Sequence, residues 1–379
     1  MKILIVPDSF KGSLSSKQAA DAIEKGINYP QFEIEKIPMA DGGEGTIECL
    51  IVSLNGSKLR DFVTDPIGRK VQAEFGILQD NKTAIIEMAA ASGLLLIPKK
   101  RRNPLYTTTY GTGELIRKVI ERGYKKIILG LGGSATTDCG AGALQALGVK
   151  LLDRNGGNIK FGGLFLKDLH KIEISDQNKF SDIEVTFMCD VSNKLLGVNG
   201  TANVFAQQKG ASIDNVQILE DNLAHFAQIV KKDTGNDIAE SIGSGAAGGL
   251  AAGLSILFKS QFVSGSDFVI KATNLRTKIR NADIIITGEG ELNSQTRFGK
   301  IPYKIATISK EYNKPVMGVF GKVTNAAKIE YKREFKHISA LCDNGISQEE
   351  AMQNAYSLLT SKVKEIFENS RFNEYMERK

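Results

Sequence analysis

The chain has 379 residues, long enough for two domains with separate cores. Apolar residues make up 42% and charged residues 24%, which excludes a disordered chain. The formal charge of +6 is spread over scattered lysines and arginines without interleaved aromatics; this argues against a nucleic-acid partner and suits a small anionic substrate.

Ile3–Val6 reads as a buried parallel strand ended by Pro7-Asp8. Coming straight after Met1-Lys2, it is too short for a signal peptide, and no stretch approaches a membrane span, so a cytoplasmic protein is expected. Ser15 and Gln18 form a capping-box pair for a helix with Ala19, Ile23 and Ile27 on one face. Strand Glu33–Pro38 and a helix with Ile47, Leu50 and Ile51 follow. Leu59–Thr64, Val71–Leu78 and Ala84–Met88 are strand-like without helices between them, and suggest an antiparallel piece. Helix 112–122, strand Ile127–Leu131, a helix over about 138–147 and strand Val185–Cys189 come next. The β-α rhythm resumes with strand Ile284–Ile286, helix 300–312, strands Val316–Phe320 and Ile338–Leu341, and a long helix Gln348–Phe367. The expected fold is α/β: a doubly wound, mostly parallel sheet domain from residues 1–64 and 264–379, with a second α/β domain, 65–263, inserted. Cys49, Cys139, Cys189 and Cys342 lack zinc or CxxC spacing and read as reduced thiols.

The chemistry gathers in glycine segments that carry acids or hydroxyls. Asp8-Ser-Phe-Lys11 follows a strand; Lys11 could grip a carboxylate and Asp8 a hydroxyl, or the segment could simply start the next helix. Asp41-Gly-Gly-Glu44 could ligate a metal or cap a helix. Gly132-Gly133-Ser134-Ala-Thr136-Thr137-Asp138 joins a strand to a helix, and is the strongest phosphate candidate, with the hydroxyls as donors. Gly243-x-Gly245-x-x-Gly248, followed by Gly249, matches a dinucleotide fingerprint but lacks the strand before it. Gly288-Glu289-Gly-Glu291 ends a strand and precedes Lys300 at a helix start. Asp190, after a strand, could be a general base or only solvate a loop. Walker A and GxSxG sequences are absent, and no nucleophilic serine lies near His170, His225 or His337. Acids beside phosphate-type turns suggest a divalent cation, hence a Mg-nucleotide phosphotransferase.

Together these residues resemble the bacterial glycerate kinase family, the type without Walker A. The resemblance runs in order through Pro7-Asp-Ser-Phe-Lys-Gly-Ser13, Pro38-Met-Ala-Asp-Gly-Gly-Glu-Gly45, Glu87-Met-Ala-Ala-Ala-Ser-Gly93, Thr107-Thr-Thr-Tyr-Gly-Thr-Gly113, Gly132-Gly-Ser-Ala135, Cys189-Asp-Val191, Gln208-Lys-Gly-Ala211, Gly245-Ala-Ala-Gly-Gly249 and Thr287-Gly-Glu-Gly290. It implies two α/β domains, one inserted in the other, and ATP- and Mg2+-dependent phosphorylation of D-glycerate, most often to 2-phosphoglycerate. With it, Asp190 becomes the expected base, Lys11 an anion contact and Asp8 its companion. Gly132, Gly133, Ser134, Gly245, Gly248, Gly249, Gly288 and Lys300 become the nucleotide contacts, and Asp41 and Glu289 the Mg2+ contacts. No membrane or nucleic-acid partner is implied, and a homodimer is compatible.

The sequence departs from the family's pattern at Glu291 and Asn293, where Arg and Asp are usual, and at Asn193-Lys194 and Phe205-Ala-Gln-Gln208, which lack a usual proline. These departures keep open a kinase for a different hydroxy acid, with Arg297 in the missing role, or a nucleotide- or sugar-phosphate-binding regulatory protein. An NAD-dependent oxidoreductase rests on the lone glycine fingerprint.

Overall fold

The computed structural model describes residues 1–40, 45–175, 177–294, 296–297, 300–343 and 345–368. The chain divides into two compact units: Met1–Ala40, Glu48–Ser53 and the described residues from Ser266 onward in one, Gly45–Ile47 and Leu54–Gly265 in the other.

The first unit is built on five parallel strands in the order His337–Ala340, Val316–Phe320, Ile284–Thr287, Lys2–Ile5, Glu33–Lys36. Strand side chains alternate between faces. Ile3, Ile5, Ile284 and Ile286 therefore join one cluster with Ala19 and Ile23 of helix Ser16–Gly26 and Leu359 and Val363 of helix Ala355–Glu368. Helices Leu275–Asn281 and Ile301–Glu311 also pack on the strands. The capping box forms as expected: the Gln18 N–H donates to Ser15 Oγ at 3.2 Å, and the Ser15 N–H to Gln18 Oε1 at 2.9 Å. The long C-terminal helix is instead two, Gln348–Gln353 and Ala355–Glu368, separated at Asn354, whose φ of −107° departs from helical geometry.

The second unit carries a six-stranded sheet. Lys259–Val263, Glu184–Met188, Lys126–Gly130 and Thr83–Glu87 are parallel; Lys70–Ile77 and Ser57–Thr64 extend it antiparallel. Residues 57–64, grouped with the first domain by sequence, thus pair fully with 70–77, from Ser57↔Ile77 to Thr64↔Lys70. A turn fixes this hairpin: the buried Asp65 accepts from the N–H groups of Ile67 and Arg69, and Gly68 takes φ +89°. A 22-residue helix, Ile213–Thr234, capped by Ser212 and ended by left-handed Gly235, buries Val216, Leu219, Leu223, Phe226 and Val230 in the core. The helix expected from 138 begins only at Ala141, because Cys139 and Gly140 are left-handed at φ 50° and 73°. Among the described residues, no helix is long and apolar enough to cross a membrane.

Close helix packing generates one prediction. A Cβ on Gly26 would lie 2.6 Å from the Thr360 carbonyl oxygen and 2.7 Å from Val363 Cβ. Alanine gains about 1 kcal/mol in helix propensity, but overpacking costs about 1–3 kcal/mol. Gly26→Ala is expected to lower the urea midpoint with m unchanged; a raised midpoint would show that these helices separate freely.

Candidate active site

In the first unit, Lys2–Ile5 and Ile284–Thr287 lie side by side where the strand order reverses direction, the position at which open α/β sheets bind ligands. Their carboxyl ends are fastened together. The Thr287 hydroxyl donates to the Val6 carbonyl at 2.7 Å, and the Asp8 N–H to the Gly288 carbonyl at 2.9 Å. Asp8, half-buried, accepts from the Ser9 N–H at 2.6 Å, and Lys11 is exposed. Gly288 is buried; a Cβ there would lie 1.9 Å from the Val319 carbonyl oxygen, so close strand packing requires glycine.

Glu289 is 5% exposed. Its Oε2 lies 3.1 Å from Lys300 Nζ, and its Oε1 accepts from the Thr296 hydroxyl at 3.1 Å. Burial pushes its carboxyl above the usual range, while Lys300, Thr296 and the more distant Lys11 oppose that shift. Lys300 stands at the N-cap of helix Ile301–Glu311, 3.4 Å from the backbone carbonyl of Glu291. Arg297 pairs with Glu330 at 3.1 Å. Lys300 and Arg297, the cations next along the chain from Glu291, are therefore engaged with Glu289 and Glu330. Asp41 lies outside the described residues. Among the described residues, no three His, Cys, Asp or Glu side chains gather to hold a metal ion. A Mg2+ that keeps most of its waters needs only one or two carboxylates beside substrate phosphates. Of the two acids expected to meet it, Glu289 is the described one, and its oxygens are engaged by Lys300 and Thr296.

In the second unit, strand Lys126–Gly130 runs into the turn expected to bind phosphate. Gly133 is exposed with φ +74°, and Gly132 and Ser134 are half-buried. The turn is anchored from Ser92–Leu94: the Ala135 N–H donates to the Ser92 carbonyl at 3.0 Å, and the Leu94 N–H to the Gly133 carbonyl at 2.9 Å. Thr136 and Thr137 do not act as the expected donors. Both are fully buried, and their hydroxyls have no hydrogen-bond partner. Asp138, also fully buried, accepts from the N–H and hydroxyl of Thr109 at 2.8 and 2.9 Å, and from the N–H groups of Gly140 and Gly142 at 3.3 Å. Burial pushes its carboxyl up; these donors pull it back.

Gly245, Gly248 and Gly249 are buried; close backbone packing accounts for the first two, and Gly249 is left-handed at φ +85°. A Cβ on Gly245 would lie 2.4 Å from the Lys194 carbonyl oxygen, on Gly248 1.9 Å from that of Thr136, and on Gly249 3.1 Å from Cys139 Cα. Asp190 follows strand Glu184–Met188 and is exposed; the Ser264 hydroxyl donates to its Oδ1 at 2.6 Å. Sequence reasoning missed Lys209, which is 2% exposed and donates to the Thr136 carbonyl at 2.6 Å. The sequence hint is its place in the Gln208-Lys-Gly-Ala211 segment of the family resemblance, which gave it no role.

Removing the cation from Glu289 makes stability pH-dependent. A carboxyl whose folded pKa is raised contributes stability below its unfolded value of 4.5 and loses it as pH rises through the folded value. Lys300→Met raises that folded value further. Its melting temperature should fall more steeply than the wild type's as pH rises above about 4.5; parallel curves would mean that Lys300 does not neutralise Glu289.

Comparison with known proteins places this geometry in a family. The model of the glycerate kinase family matches residues 3–371. The chain is 44% identical to glycerate 2-kinase of Escherichia coli (strain K12), covering 94% of both chains, and 41% identical to glycerate kinase of Bacillus subtilis (strain 168), covering 97% of both. A crystal structure from Salmonella typhimurium LT2, assigned as a glycerate kinase 2, superposes with a TM-score of 0.83 at 39% identity, covering 99% of both chains. This α/β chain therefore belongs to the glycerate kinase family.

Proposed function

We propose that the protein transfers the γ-phosphoryl group of ATP to D-glycerate, with 2-phosphoglycerate as product. The observation that carries this reading is the similarity along nearly the whole chain to proteins named glycerate kinase, one of them a glycerate 2-kinase. The two compact units support reading the chain as two domains, one inserted in the other. Four free cysteines accord with a cytoplasmic location.

Phosphoryl transfer asks little covalent chemistry of a protein; positioning and charge neutralisation dominate. The exposed Gly132–Ser134 turn offers backbone N–H groups to the phosphates. Asp190, held by Ser264, orients the acceptor hydroxyl and takes its proton. Lys11 neutralises the carboxylate of the acid, and Asp8 accepts from its other hydroxyl. Glu289 is the described residue that would contact a nucleotide-borne Mg2+, which would supply charge neutralisation on the phosphates.

The test is ADP release that requires both D-glycerate and Mg2+. In Asp190→Asn, turnover should drop by about 10²–10⁴-fold while ATP binding persists. ATP consumption indifferent to glycerate would remove the acceptor assignment, and normal turnover in Asp190→Asn would remove the base.

Glu291 supplies a separate check. Like charges at about 4 Å repel by about 4 kcal/mol at an effective dielectric of about 20. If Glu291 neighbours the bound acid, Glu291→Arg lowers KM for D-glycerate and leaves that for ATP in place. Equal KM values for glycerate would put residue 291 outside the acceptor site.

A further inference from the structure

Lys209 is an unusual donor. Its three-residue 3-10 turn, Gln207–Lys209, ends at Gly210 with φ +101°, where a Cβ would lie 2.3 Å from the Arg102 carbonyl oxygen. The lysine's backbone is thus seated on a different segment from the one its ammonium reaches. That ammonium ends on the Thr136 carbonyl, which lies against the backbone of Gly248 and is closed to solvent. A buried carbonyl needs a donor, and a charged donor bonds about twice as strongly as a neutral one. The buried hydroxyls of Thr136 and Thr137 hold nothing. The neighbouring carbonyl of Ala135 is held by the Thr107 hydroxyl at 2.8 Å.

We propose that Lys209 is a positioning residue for the glycine-rich turn: by holding the Thr136 carbonyl, its ammonium fixes the N–H groups of Gly132–Ser134 that the nucleotide phosphates use. The phosphate role rests on the function proposed above; the coupling of Lys209 to the turn does not. Burial pushes the ammonium down to about 7, and the Asp138 carboxylate pulls it back up. Asp138 is the charged group that acts on Lys209 from the turn, and Ala246–Gly249 brings none. The Arg102 guanidinium is directed to the Ile97 carbonyl at 3.2 Å. Deprotonation replaces a charge-assisted bond by a weaker neutral one and relaxes the turn.

The test uses the full chain with lysine labelled at Cε and the backbone amides labelled with 15N, titrated from about pH 6 to about pH 9. One lysine is expected to titrate near neutrality and to vanish from the spectrum in Lys209→Met. The amides of Gly132–Ser134 should move with the same midpoint in the wild type and stay still in the variant. Lys209→Met should also weaken ATP binding about tenfold or more, as loss of a hydrogen bond from a charged group does, and remove the neutral-pH inflection from the affinity. Turn amides that stay still while Lys209 titrates in the wild type would overturn the proposal, even if the variant fails to fold. Unchanged ATP affinity in a folded Lys209→Met would overturn it as well. Coupled titration in a wild type that binds no ATP would support the positioning and remove the nucleotide role of the turn.

Discussion

The second unit is organised around the contact between the Thr136 carbonyl and the backbone of Gly248. Any side chain at 248 would lie 1.9 Å from that oxygen, so the approach exists only because the residue is glycine. The contact is laced in both directions. The Cys139 N–H donates to the Gly248 carbonyl at 3.0 Å, and Gly253 comes so close to the Cys139 carbonyl that a Cβ would lie 2.0 Å from it. Cys139 and Ala247 are not glycines, yet both are left-handed, at φ 50° and 53°. Each such residue costs on the order of 1–3 kcal/mol and persists only where its surroundings over-determine it. Two glycine segments that look like independent phosphate cradles are one interlocked backbone element. Gly132–Ser134 is the part of the two segments that reaches solvent before the chain buries itself at Ala135.

The first unit solves a different problem with the same material. Its glycines after strand Ile284–Thr287 bring two strand ends together, and the space near them holds a buried carboxylate balanced by Lys300 and Thr296. Polarity gathers where the sheet's order reverses, while the central strand residues behind it, Ile3–Ile5, Ile284–Ile286 and Val316–Phe320, are apolar and buried. A rigid parallel sheet thus delivers Asp8, Lys11 and Glu289 to one end through short connections.

Much of this was legible from residue pattern. The Ser15–Gln18 capping box, the apolar strands and the glycine turns announce themselves because local chemistry decides them. Helix Ile213–Thr234 was equally available, from Ser212, the spacing of Val216, Leu219, Leu223 and Phe226, and the terminal Gly235. The placement of Ser57–Thr64 was not: pairing partners are chosen by tertiary contact, and a strand next to a domain boundary reads the same on either side. Nor does a sequence say which hydroxyls of a glycine turn face outward. Thr136 and Thr137 look like ligand donors beside Ser134, yet only the geometry shows them sealed inside. Lys209 lies in the Gln208-Lys-Gly-Ala211 segment of the resemblance, but lysine is almost always solvated, so its burial against a backbone carbonyl could not be read from that segment.

Hydrogen–deuterium exchange with and without Mg-ATP tests the central claim, that the interlocked glycine segments form a preformed support from which Gly132–Ser134 binds phosphate. The account predicts slow exchange across Cys139–Ala143 and Gly249–Leu254 in the free protein, little changed by nucleotide, with new protection confined within this element to Gly132–Ser134. Fast exchange at Gly249–Leu254 that becomes protected only on adding nucleotide would contradict it, because the segment would then be ordered by the ligand and not by Thr136.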